Sequence, residues 1–340
     1  MNPLRAWNAF FFGPVSAKPL GAFRIVFGFV VLANLAITWV TLDYWFTDQG
    51  LLQGAEAREV AGPLRLSVLH WAQDPVSVRL WFAATALAAI GLTVGWHTRV
   101  MSALFYFGML SIHHRNIASN SGADALLMIM SFYVMLSPCG AAFSLDARRA
   151  ARARGTWADP LIVPWAQRLI QLHLCLIYFD TALMKCRGTS WLDGSALHYV
   201  LHNTEVGRFR LDPLTQYPMA VNFLTHSGLM IEFALAFLLW FRPTRRWIIV
   251  AGLSLHAGIH LMVNIPIFGE MMAACYLTFL APDELDAVIR RLDPRTWFGR
   301  RGTVPAEMAA KVPGRVDSPV PVPWRGPHAP IPAPEPAKTA

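Results

Sequence analysis

Runs of apolar residues separated by short polar breaks recur at about residues 20–39, 78–95, 100–112, 125–136, 162–184, 221–241, 247–263 and 268–280. An α-helix rises about 1.5 Å per residue, so about 20 such residues cross the roughly 30 Å of hydrocarbon in a bilayer. The pattern predicts an all-α fold, a polytopic integral membrane helical bundle of about eight transmembrane helices. The run at 100–112 is short and reads as a tilted or partly re-entrant helix. Arg24 interrupts the first run, where it is expected to snorkel to the near interface or to pair with a carboxylate in the bundle.

The segments between the runs are too charged to cross. They include residues 40–77, the basic stretch SLDARRAARARG at 144–155, and a polar loop of some thirty residues after Met184 that holds His198, His202, Glu205, Arg208 and Arg210. Arginines mark every second connection: Arg99, then Arg148, Arg149, Arg152 and Arg154, then Arg242, Arg245 and Arg246, then the C-terminal tail. Under the positive-inside rule this places both termini in the cytoplasm and predicts a multi-pass protein of the cell inner membrane. The start of the chain has two charges before the first run and no small-residue cleavage site, so an uncleaved first span is expected there.

Composition sharpens that picture. The 340 residues are 55% hydrophobic and only 15% charged, with a mean hydropathy of +0.39, whereas soluble domains carry about 25% charge. A net charge of +8 and a pI near 9.7 raise nucleic acid as a partner, but the arginines sit at helix ends and in the tail, the placement of topology signals and of contacts with anionic lipid. The expected partners are therefore the lipid bilayer and a quinone-like or lipidic small molecule, with no nucleic acid. Cys139, Cys175, Cys186 and Cys275 form no CxxC pair and read as small core residues.

Three ionisable groups within or at the end of apolar runs carry the candidate chemistry. Lys185 ends the fifth run, and it reads either as a snorkelling anchor or as a buried base. On a helix Tyr178, Thr181 and Lys185 share one stripe, with His173, Asp180 and Met184 on the next. Asp180 and Glu232 fall inside apolar runs, where an unpartnered carboxylate is costly, so each is expected to be protonated or hydrogen-bonded to a neighbouring helix, with a proton relay as the sharper alternative. The topology sets Lys185, His260, Glu270 and the NSGAD loop on one face. His256/His260, His198/His202 and His113/His114 raise a metal site, but the HxxHH spacing of membrane di-iron enzymes is missing and no metal site is assigned.

The order of several pieces resembles a known family. RIVFGFVVL, DYWFTDQGLL, RNIASNSGADALL, PCGAAFSLD, YFDTALMKCRGTSWLDGSAL and HAGIHLMVNIPIFGEMMAACYLTFL, in that order over residues 18–285, are similar to the HTTM domain, the membrane module of vitamin K-dependent gamma-carboxylase. The resemblance implies that Lys185 is the base that deprotonates a reduced naphthoquinone co-substrate, which oxygen then converts to an epoxide, and that His260 is the matching histidine. The Asn-His pair of the carboxylases is replaced by Gly122 and Ala123, with Asp124 beside them, and the globular region that follows the membrane module in the animal enzyme has no counterpart in these residues. The resemblance thus implies quinol-linked oxidation without peptide carboxylation.

The expectation is an HTTM-like transmembrane domain over 1–285, a basic interfacial helix over 286–302 and a proline-rich disordered tail over 303–340. Its function is a quinone-using, lyase-like membrane activity, with Lys185 and His260 catalytic and Tyr178, Asp124, Trp191, Glu270 and Asn264 binding substrate. The alternatives are a non-catalytic lipid-binding or assembly protein and a metal-dependent membrane oxidase.

Overall fold

Asn2 caps the first helix, α1 (Pro3–Phe12), by accepting a hydrogen bond from the Leu4 amide. The chain then runs through α2 (Lys18–Val40), α3 (Leu42–Phe46), α4 (Gly54–Ala61), α5 (Pro75–Val94), α6 (Thr98–Arg115), α7 (Gly122–Leu136) and α8 (Leu145–Arg154). The second half holds α9 (Trp165–Lys185), the short α10 (Thr189–Leu192), α11 (Ala196–His202) and α12 (Asp212–Thr215), then α13 (Pro218–Leu238), α14 (Arg242–Met262), α15 (Phe268–Tyr276) and α16 (Pro282–Leu292). A two-residue antiparallel pair, β1 (Val15–Ser16) with β2 (Leu161–Ile162), ties the entry of α2 to the entry of α9. This computed structural model describes residues 2–156, 159–205, 207–209 and 212–292, so the tail expected at 303–340 and most of the interfacial helix expected at 286–302 lie outside the described residues.

Each of the eight apolar runs is helical, and the described chain is all-α apart from the β pair. Three helices, α2, α5 and α13, are long and apolar enough to cross a membrane by length and composition. The third run is longer than expected, because α6 continues through His113, His114 and Arg115. The eighth is broken: α15 stops at Tyr276 and a 3-10 turn (Leu277–Phe279) finishes the run. Asp74 starts α5 by accepting from the Val76 and Ser77 amides, and a left-handed Gly95 ends it.

Packing joins α2 to α5, α5 to α6, α6 to α7, α9 to α13 and α13 to α14. Phe23, Phe27, Leu92, Phe105 and Leu127 are fully buried where the first of these helices meet. Phe27 and Phe105 pack edge to face with ring centroids 6.1 Å apart. The charged segment 40–74 folds back over the end of α6: Ser67 Oγ donates to Ser111 O (2.6 Å), and Asn116 Nδ2 donates to Trp45 O (2.9 Å).

Arg24 departs from both sequence expectations. It is fully buried, and its guanidinium donates to the carbonyl oxygens of Phe143 (2.7 Å), Cys139 (3.0 Å), Ala142 (3.3 Å) and Thr93 (3.5 Å). The turn between α7 and α8, broken open by Pro138 and Gly140, leaves carbonyls without helical partners, and one planar fork of donors satisfies several at once. Arg115 does the same at the other end of α6, donating from Nη2 to Leu52 O (2.9 Å) and Thr47 O (3.3 Å).

Removing the fork strands those carbonyls in an apolar setting. Arg24→Met is expected to destabilise the protein by about 2–4 kcal/mol, and Arg24→Lys to restore less than half of that. Thermal unfolding of the purified protein in detergent measures both, and an Arg24→Met melting temperature equal to the parent's refutes the clamp.

Candidate functional site

Lys185 is the last residue of α9, and its amine makes an ion pair with Glu232 Oε1 of α13. The pair forms because α9 and α13 pack along their length, and Cys175 Sγ lies 3.9 Å from Leu235 O further down the same seam. Glu232 is 6% exposed, and its second oxygen, Oε2, has no protein partner. The Lys185 side chain keeps 26% of its surface and is partly buried. Its nitrogen lies 4.8 Å from the centre of the Trp191 ring, a cation–π contact. Trp191 is held there because the turn after α10 is tied to α13: Asn222 Nδ2 donates to Asp193 O (2.7 Å), and the Leu197 amide donates to Thr225 Oγ1 (3.2 Å).

Two helical turns before Lys185, about 10 Å along α9, Tyr178 is buried in a second polar group. Its hydroxyl is 2.7 Å from His256 Nε2 of α14 and in direct hydrogen-bonded contact with the Tyr276 hydroxyl of α15. The two tyrosine rings stack with centroids 6.5 Å apart. His256 Nδ1 is buried without a protein partner. Gly252 makes room for this cluster, since a Cβ at that position would overlap the Tyr276 hydroxyl oxygen.

One turn beyond His256, His260 Nδ1 lies 2.9 Å from Glu270 Oε1, a charge contact too far off line to count as a hydrogen bond. Glu270 is delivered by the first turn of α15, which begins at a strained point: Ile267, β-branched and buried, has φ of 70°. Phe268 then packs edge-on against His256, with centroids 6.0 Å apart.

The structure therefore joins Lys185 to Trp191 and His260 to Glu270, and it sets Tyr178 in a hydrogen-bonded group with His256. Among the described residues no hydrogen bond or ion pair links Asp124 or Asn264 to these groups. Asp124 serves as the capping box of α7, accepting through Oδ2 from the Ser121 amide and hydroxyl, and Asn264 is exposed in the turn before α15. Asp180, expected to be protonated or bonded to a neighbouring helix, is exposed on the outer face of α9 with Leu176 and Met184. His198 and His202 lie on α11, not in an irregular loop, and among the described residues no three His, Cys, Asp or Glu side chains gather into a metal-binding group. The four cysteines are free thiols, three of them buried.

Sequence reasoning missed Tyr276 altogether and read His256 only as half of a spaced histidine pair. A hydroxyl inside an apolar run was the available signal, because a buried phenol calls for a partner. Chemically, the assembly offers an amine with a carboxylate counter-ion and two buried polar atoms, Glu232 Oε2 and His256 Nδ1, free to meet a polar group of a bound molecule.

Comparison with known proteins agrees with the apolar helical architecture. The family model for the HTTM domain matches residues 12–283. The chain is 20% identical over 235 residues to the uncharacterized protein YitO of Bacillus subtilis (strain 168), covering 62% of this chain and 68% of that protein. No solved structure matches. With a match running from α1 into α16 and helices fit to cross a bilayer, this chain is a membrane protein that belongs to the HTTM domain family.

Proposed function

We propose that the groups between α9, α13 and α14 form a site for a reduced quinone-like or other lipidic molecule, with Lys185 as the base of an oxygen-dependent oxidation. The observation that carries this reading is the Lys185–Glu232 pair, set beside a buried carboxylate oxygen and a buried imidazole nitrogen that no protein group meets. In this reading Lys185 passes its proton to Glu232 within their contact, and the resulting amine takes a proton from a substrate hydroxyl. The Trp191 ring and the half-buried setting limit water around the amine. His260 with Glu270, and Tyr178 with His256, serve as polar groups that orient the substrate, and peptide carboxylation is not part of the proposal.

The same reading places all eight apolar runs across the bacterial inner membrane with both termini cytoplasmic, which puts α8 inside and the Lys185 end of α9 outside. The second reading, a non-catalytic lipid-binding or assembly protein with Lys185 as an interfacial anchor, draws on the quarter of that side chain left exposed.

Oxygen-dependent oxidation of reduced menaquinone by the purified protein in detergent separates the two. Lys185→Ala is expected to lower the rate by about 10²–10⁴-fold, and a parent protein without activity favours the anchor. Glu232→Gln is expected to shift the pH–rate profile while substrate affinity changes little, because the amine loses its proton partner; an unaltered profile removes Glu232 from the mechanism. For topology, a single cysteine introduced at Arg152 in a cysteine-free background is expected to resist a membrane-impermeant thiol reagent in intact cells, while one at Asn203 reacts.

A further inference from the structure

A cavity, independent of the reading above, lies between α6, α7 and α9. It has a volume of about 550 Å³, within the roughly 300–1,000 Å³ range of ligand pockets. His173 and Lys185 are 12 residues apart on α9, about 18 Å along the helix, so this cavity and the Lys185 group are separate places in the bundle.

The lining changes along the helices. At one end, the mouth, stand Arg65, His113 and His114, with Asn120 and Ser121 at the entry of α7. Along α6 and α7 from there the wall is made of Tyr106, Leu110, Met128, Ile129 and Phe132. Tyr133 and His173, with Tyr133 Oη 3.4 Å from His173 Nδ1, line the other end, and Tyr133 lies about 16 Å along α7 from its first residue.

Charge at the mouth is uneven. Asp124 is not among the lining residues; it spends Oδ2 on the Ser121 amide and hydroxyl at 2.8 Å each, and its Oδ1 stands 3.9 Å from His113 Nε2, within ion-pair range but beyond hydrogen-bonding distance. His113 is 6% exposed, and the Arg65 guanidinium donates to the Ala61 carbonyl at 2.9 Å. Among the described residues the Arg65 guanidinium thus faces the cavity with no carboxylate in ion-pair range, and the buried His113 imidazole has only its long 3.9 Å contact with Asp124. A headgroup carrying negative charge complements them, and a wall of rings and thioether complements one flexible apolar chain.

We propose that this cavity binds a single-chain carboxylate amphiphile, a long-chain fatty acid, with its carboxylate at Arg65, His113 and His114 and its chain along Tyr106, Ile129 and Phe132. The volume favours one acyl chain over a two-chain phospholipid.

The test uses the full chain, delipidated in detergent, with radiolabelled oleate in equilibrium binding. Oleate is expected to bind at about one per chain, with oleyl alcohol competing at least 10-fold more weakly and Arg65→Gln and His114→Gln each weakening oleate by about 10-fold. Ala125→Trp, which fills the cavity from α7, is expected to abolish binding. A diazirine-bearing oleate, photolysed on the unaltered protein, is expected to label the peptide spanning residues 106–133, which keeps the test decisive if a variant fails to fold. Equal competition by oleyl alcohol, stronger competition by dioleoyl phosphatidylglycerol, or labelling elsewhere on the apolar belt overturns the proposal.

Discussion

A charge carried out of water has to be answered inside the protein, and the contact with Lys185 answers that of Glu232. The idealised cost of moving a carboxylate ion into a medium of low dielectric is of order 20 kcal/mol, so Glu232, 6% exposed, is not tolerable as an unpartnered ion in the α9–α13 seam. Their pairing fixes which faces of the two helices meet, and with them the loop that brings Trp191 over the amine. A buried pair of this kind is poor evidence for stability, because an apolar pair of equal volume often does as well.

The bundle meets the same constraint elsewhere by different means. Arg24 and Arg115 are both fully buried without an acidic partner in salt-bridge range among the described residues, and both donate to backbone carbonyls of non-helical turns, Arg24 through Nη1 and Nη2 and Arg115 through Nη2. Guanidinium suits that task because its charge is spread over a plane with five donors, whereas an ammonium concentrates it. The two arginines thus act as struts for loops, while the single lysine between α9 and α13 meets a carboxylate that can exchange a proton with it. The difference in partner separates the scaffold from the candidate chemistry.

Much of the framework was legible along the chain because hydrophobic length is a one-dimensional property. All eight apolar runs are helices, and Asp74, Ser121 and Gly95 stand where caps belong. Lys185 stood out as a cation at the end of an apolar run, and Glu232 as a carboxylate inside one, but their pairing depends on which helices pack together and leaves no trace in local pattern. Tyr276 was easily passed over, since a tyrosine among Ala, Cys and Leu looks like core until its hydroxyl is seen against Tyr178. The carbonyl cage of Arg24 could not be read at all, since backbone acceptors are the same for every residue type. The exposure of Asp180 could not be read because burial follows which face of α9 turns inward, and that face is set by its packing on α13 and α7.

The notch at Gly252 carries one more consequence. Because the Tyr276 hydroxyl nests where any larger residue's Cβ would sit, α15 is keyed to α14 like a shaft in a slot, and a slip of one residue between them would drive a side chain into that oxygen. The broken eighth run therefore takes its position along the bundle from its neighbour.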